Sequence, residues 1–264
     1  VIEIIVYDVF SVGNFFNRTD SDSRYVNVDG DTMTGNLGIG VAPTTSYGRV
    51  AQIHDTGTSG ANLRLTDSNS GSGTGNGFEI IQLGVNNYMI NRETGFIEFY
   101  TSGTEAMKID SNGHITKPKQ SAFLAVSNST QSNIATNTTT TISFNYEVFD
   151  QNADYNNSNY TFTAPVTGRY QLNAQIYMYQ MPENGGYSLI NINTSNRAYL
   201  DIFTNSAHDS EITYNSLKIA CLADMDANDT ATVSFYQQQG TAQADIQGSG
   251  SNAGNTQFSG FLVA

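Results

Sequence analysis

The feature that most constrains this chain is the period-two alternation that fills its second half. Ile142, Phe144, Tyr146 and Val148 alternate with Ser143, Asn145 and Glu147. Tyr160, Phe162 and Ala164 repeat the pattern, and so do Tyr170, Leu172, Ala174, Ile176 and Met178. Shorter runs follow at 188–192, 198–203, 216–222, 230–236 and 258–263. Side chains of a strand point alternately to its two faces, so this spacing predicts strands buried on one side. Many short strands at close spacing pack as a sandwich or a barrel. No stretch holds a helical period. With 13% charged residues, 4 Pro and abundant Tyr and Phe, composition also favours strands over helix or disorder. The fold class is all-β.

Charge narrows the partners. The net charge is −13, which repels nucleic acid and anionic membranes. No apolar run reaches the roughly 18 residues of a membrane span. Cys221 is the only cysteine and lies in the apolar alternation Leu217, Ile219, Cys221, as a buried, inert thiol would.

The first half reads as a succession of small units. Residues 1–21 open with the strand-like Val1-Ile2-Glu3-Ile4-Ile5-Val6 and carry Phe10, Phe15 and Phe16. Three such rings close together predict packing against another chain, so this is the expected attachment segment. In 22–43, Asp29-Gly30-Asp31 and Gly35-Asn36 are turns flanking Thr32-Met33-Thr34. Residues 44–117 hold strand runs at Ala61–Thr66 and Phe78–Leu83. They also hold Tyr88–Arg92 and Phe96–Tyr100, a pair that reads as a hairpin across Glu93-Thr94-Gly95. The Gly/Ser-rich stretch 68–77 lacks the following helix and Lys of a phosphate loop and reads as a flexible surface loop. Lys117-Pro118-Lys119 suits a linker, which puts the head at 118–264.

Two segments of the first half resemble bacteriophage tail fibres. Arg24-Tyr25-Val26-Asn27 followed by Gly30-Asp31-Thr32-Met33-Thr34-Gly35-Asn36-Leu37 resembles a short fibre repeat. Gly103-Thr104-Glu105-Ala106-Met107-Lys108-Ile109-Asp110-Ser111-Asn112-Gly113 resembles a segment common in fibre shafts. The resemblance implies an elongated trimeric β-rich stalk at 22–117. Such short segments bury too little surface alone and gain stability when several copies share one axis.

The second half resembles the head of complement C1q, which shares a jelly roll with tumour necrosis factor. The similarity rests on Ala122-Phe123, Phe144-Asn145, Tyr160-Thr161-Phe162-Thr163-Ala164-Pro165-Val166-Thr167-Gly168-Arg169-Tyr170, Asp229-Thr230-Ala231-Thr232-Val233 and the closing Phe258-Ser259-Gly260-Phe261-Leu262. It implies a ten-stranded jelly roll and a homotrimer, with Phe144, Tyr170, Phe258 and Phe261 in the trimer core.

Chemistry-bearing clusters are sparse. Asp224, Asp226 and Asn228 stand at the first, third and fifth positions of a calcium loop. Position six is Asp229 where Gly belongs, and position twelve is Phe235 where Glu belongs, so the segment reads as an acidic turn and a weak metal candidate. No cofactor is expected beyond the calcium that some C1q-like heads hold. The three His have no spaced metal partner, and no nucleophile elbow or β-helix repeat is present. The expected function is non-enzymatic.

Tyr beside amide side chains is the stronger signal. Aromatic faces stack on sugar rings, and amides bond their hydroxyls. On this ground Tyr155, Asn157, Tyr177, Tyr179 and Tyr187 are the expected ligand-binding residues. The combined expectation is an extracellular phage tail fibre, docked to other tail proteins through its N-terminal segment. Its trimeric head would attach to a host polysaccharide or lipopolysaccharide. The alternative is a structural fibre or collar protein whose head only drives trimerisation.

Overall fold

The computed structural model describes residues 37–39, 51–181, 186–204, 212–238, 243–249 and 254–264. The strand at Val1–Val6, the Phe10, Phe15 and Phe16 cluster, the turns of 22–36 and His208 lie outside them. Every regular element among the described residues is a strand. The chain divides into two compact units, Val1–Phe96 and Ile97–Ala264.

The first unit pairs β1 (Leu37–Ile39) with β2 (Ala51–Ile53) in parallel. It also holds an antiparallel sheet of β3 (Ala61–Leu65), β4 (Phe78–Leu83) and β5 (Asn86–Asn91). Leu63, Ile80 and Met89 form one cross-strand row on one face of that sheet, and all three are exposed. The opposite face carries Glu79, whose carboxylate is buried between Arg64 and Arg92. It accepts bonds from Arg64 Nε at 2.7 Å, Arg92 Nε at 2.9 Å and Asn62 Nδ2 at 3.0 Å.

The second unit begins with β6 (Ile97–Thr101), β7 (Thr104–Ile109) and β8 (Ile115–Thr116). The hairpin expected between 88–92 and 96–100 does not form. β5 pairs with β4 and β6 pairs with β7. Each of those pairs closes through only two residues, and Ser102 and Gly103 both take the positive φ of the turn that matches strand twist. The predicted turn at 110–113 is present, with Gly113 N donating to Asp110 O at 3.0 Å.

From Ser121 the chain builds a two-layer sandwich. Its strands are β9 (Ala122–Val126), β10 (Gln131–Ile134), β11 (Thr140–Thr141), β12 (Tyr146–Asp150), β13 (Tyr155–Asn156), β14 (Thr161–Thr163), β15 (Gly168–Met181), β16 (Tyr187–Thr194), β17 (Ala198–Thr204), β18 (Ile212–Met225), β19 (Thr230–Gln237), β20 (Ala244–Ile246) and β21 (Gln257–Leu262). One sheet runs β10-β20-β15-β21-β9-β12, with β18 on β15. The other runs β13-β14-β19-β16-β17, with β11 on β19. The inward residues of β15, β18 and β21 meet those of β16 and β19, which is what the period-two pattern requires.

The core is aromatic at one end. Phe123 stacks on Phe162 at 4.8 Å and on Tyr155 at 5.0 Å, and meets Phe258 edge-on at 5.0 Å. A Cβ on Gly260 would lie 2.6 Å from the Leu172 side chain and 2.9 Å from the Phe123 ring, so any larger residue there would have to displace both.

The alternation read through 142–148 breaks. Ile142 and Phe144 are fully buried, but Tyr146 and Val148 are exposed. The chain leaves β11 in one sheet and joins β12 in the other, and the β12 pairing with β9 shifts register between Glu147 and Phe149. Changing sheets and adding a bulge both reset which side faces inward.

Candidate functional site

Strand register places the ends of the sandwich. The chain enters at Ser121, whose carbonyl accepts from Leu262 N. Gly168 pairs with Met225 at the same end, and the Asp226–Asp229 turn follows directly. The opposite end holds Tyr179 paired with Tyr214, and Tyr187 paired with Thr204.

At that far end an aromatic cluster sits on the outer face of the large sheet. Tyr177 and Tyr214 stack with ring centres 5.7 Å apart and planes 9° apart, and Tyr179 meets Tyr214 at 6.5 Å. β15 and β18 bring these rings together by register, since Tyr177 and Tyr179 point the same way and Tyr214 lies directly across from Tyr179. Asp245 stands across from Tyr179 on β20 and accepts from Asn133 N at 2.6 Å. Partial desolvation, then the Asp245 carboxylate, push the Tyr179 phenol above its ordinary pKa. Ser216 lies across from Tyr177, and its Oγ is buried without a hydrogen-bond partner among the described residues. The group therefore offers stacked aromatic faces beside a carboxylate, with the Ser216 hydroxyl buried beneath them. That set suits a polyhydroxylated ligand and holds no nucleophile–base pair.

The five predicted ligand residues fall in different places. Tyr177 and Tyr179 belong to this cluster. Tyr187 lies on the outer face of the other sheet, 5.9 Å from Tyr236. Asn157 is exposed in the turn between β13 and β14, and β14 pairs with the start of β19, near the entry end. Tyr155 is a core residue: it is 4% exposed, and its hydroxyl donates to Phe144 O at 2.9 Å. Burial drives its phenol pKa up. It caps the sandwich from inside and shows no face to a ligand. Tyr214 went unread because β18 starts earlier than the predicted run at 216.

The residues assigned to a trimer core divide too. Phe144, Tyr170 and Phe258 are fully buried inside a single chain. Tyr170 donates to Val166 O at 2.7 Å and closes the Pro165–Gly168 corner. Phe261 alone faces outward, 47% exposed, on the large sheet. Phe261 and Leu222 flank Gln171 in one cross-strand row there, and Phe149 and Tyr146 on β12 are also exposed.

The weak metal candidates do not converge. Asp224 Oδ2 accepts from Arg197 Nη2 at 2.7 Å, and Asp226 N donates to Asp229 Oδ2 within the turn. Asn228 takes positive φ as a turn residue. No group of three His, Cys, Asp or Glu side chains gathers as a metal site among the described residues. Cys221 is buried, and desolvation pushes its thiol up to about 11, the reverse of an activated cysteine. His114 is exposed and pairs with Asp110 at 2.9 Å.

The family comparison falls on the sandwich. The sequence model described as "C1q domain" matches residues 122–263. Among solved structures, the globular domain of zebrafish complement 1qA is similar at 16% identity and TM-score 0.40, over 55% of this chain and 98% of that one. Murine APRIL, crystallised at pH 8.0, is similar at 16% identity and TM-score 0.38, over 55% of this chain and all of that one. No curated protein sequence matches. With a two-layer jelly roll over the same residues as the family match, the chain belongs to the C1q domain family.

Proposed function

We propose that the chain is a non-enzymatic binding protein of phage tail-fibre type, whose trimeric head attaches to a bacterial surface glycan. Domains of the C1q and tumour necrosis factor type often mediate trimerisation and binding, and are generally not enzymes. The observation that carries the reading is the Tyr177–Tyr179–Tyr214 cluster with Asp245, at the end of the head opposite the point where the chain enters. Aromatic faces beside a carboxylate hold sugars through stacking and hydroxyl bonds. Three heads in one particle raise effective concentration, so weak single contacts suffice. The fibre reading rests on the motifs at 24–39 and 103–115. In it, residues 1–21 dock to other tail proteins, 22–117 form the stalk and the protein works outside the cell on the virion.

A second reading is a structural fibre or collar protein. It is favoured by the apolar side chains Phe261, Leu222 and Phe149 on the same face of the large sheet, which three copies of the head would bury. One experiment separates the two. The double variant Tyr177→Ala/Tyr214→Ala is assayed for binding to an array of bacterial surface polysaccharides, with light scattering run alongside. Lost glycan binding in an intact oligomer supports recognition. Binding that survives, or an oligomer that falls apart, removes these rings from recognition.

A further inference from the structure

We propose that the first unit carries its own carbohydrate site, separate from the head, in the cavity walled by Phe78, Asn91, Thr66 and Glu93. The cavity measures about 610 Å³, inside the range of about 300–1,000 Å³ usual for small-ligand sites. Its wall is a cross-strand row on the same face as Leu63, Ile80 and Met89, one row nearer the 66–77 loop: Leu65 on β3, Phe78 on β4 and Asn91 on β5 are register partners. Its rim is the 66–77 loop together with Glu93.

The loop, read from composition as a flexible surface loop, carries its own hydrogen bonds. Asp67 Oδ1 accepts from Asn69 N at 2.9 Å and Ser70 N at 2.8 Å, and the Asn76 amide closes onto Ser70 O. Gly77 N donates to Glu93 Oε1 at 2.8 Å, and Arg92 N donates to Gly77 O at 2.9 Å. Gly77 has φ +81, and a Cβ there would strike Leu65 O, so the loop returns to β4 by a path only glycine allows. The cavity is therefore shaped before any ligand arrives, which lowers the ordering cost of binding.

Two groups remain open for a ligand. Glu93 Oε1 is used by Gly77, but no donor reaches Oε2, and Thr66 Oγ1 has no partner among the described residues. Phe78 adds an aromatic surface beside Leu65. No Lys or Arg lines the cavity, while Asp67 and Glu93 do. Phosphate, sulfate and acidic sugars are thereby disfavoured. Arg64 and Arg92 alternate to the other face, where Glu79 holds them. A neutral sugar ring uses all of what is left: its apolar face lies on Phe78, and its hydroxyls donate to Glu93 and exchange bonds with Thr66.

The test uses the full chain in the Tyr177→Ala/Tyr214→Ala background, so that head binding does not contribute. Methyl glycosides of glucose, galactose and N-acetylglucosamine are titrated and followed by saturation-transfer NMR. Binding is expected for at least one. Phe78→Leu keeps the apolar volume and should weaken it about fivefold, and Thr66→Val should weaken it about threefold. Both should keep the parent's melting temperature. No saturation transfer at millimolar glycoside, or equal affinity in Phe78→Leu, overturns the proposal. A response to calcium with none to any glycoside also overturns it, since the carboxylates would then serve a cation.

Discussion

The three-stranded sheet β3–β5 and the head sandwich solve one problem in opposite ways. In the head, two sheets face each other, and Phe123, Phe144, Phe162 and Phe258 are sealed between them. The sheet of the first unit is anchored by charge instead, through Glu79 between two arginines. Its apolar row Leu63, Ile80 and Met89 stays 45%, 45% and 54% exposed. A single small sheet with one bare apolar face is marginal in water, whereas a closed sandwich carries its own core. The difference marks the head as carrying its own core, while the Leu63, Ile80 and Met89 row of the first unit stays exposed.

The largest expected effect strikes the head. Phe123→Ala should cost about 3–5 kcal/mol, because the ring fills a site packed on three sides by other rings. Denaturant unfolding of the head transition measures it. A loss under about 1 kcal/mol would mean the aromatic cluster does not hold the sandwich together.

Next is the bare row. Ile80→Asp places a charge between Leu63 and Met89. If other copies cover this row, the change should destabilise the first unit by about 2–3 kcal/mol. On a truly solvated face it would stay within about 0.5 kcal/mol. The smaller figure would erase the contrast between the two regions.

A subtler change probes how far the head core is satisfied. Tyr155→Phe keeps the stacked ring but strips the donor from Phe144 O, so a loss of about 1–2 kcal/mol is expected with glycan binding unchanged. Reduced binding without a stability loss would return Tyr155 to the ligand site.

The charge anchor gives a pH signature. Hydrogen bonds from Asn62 and Arg64, then Arg92, depress the Glu79 pKa to about 2 from an ordinary 4.5. A depressed carboxylate stabilises the fold above its unfolded pKa. The first unit should therefore hold its stability down to about pH 4.5 and lose it progressively toward pH 2. Glu79→Gln should flatten that profile in a fluorescence-monitored acid titration, and an unchanged profile would show the anchor does not matter.

Legibility in the sequence followed periodicity. Tyr170 to Met178 alternates without interruption along β15, so its inward face was readable. The same rule failed at Tyr146 because the chain changes sheets there, and period alone cannot show a change of layer. The hairpin at 88–100 was misjudged because Glu93-Thr94-Gly95 resembles a turn, while the shorter closures at 84–85 and 102–103 win. For the site, Tyr content pointed to Tyr177 and Tyr179. Tyr155 and Tyr214 traded places because burial and register are tertiary facts: Tyr155 faces the core from β13, and Tyr214, 35 residues beyond Tyr179, is brought against it by the pairing of β18 with β15.

Light scattering of the full chain tests the proposed trimer most directly, since three copies of the head would bury the outward Phe261 that a single sandwich leaves exposed. The expected result is a mass three times that of the chain, independent of concentration in the micromolar range. A stable monomer, with both units folded, would contradict it.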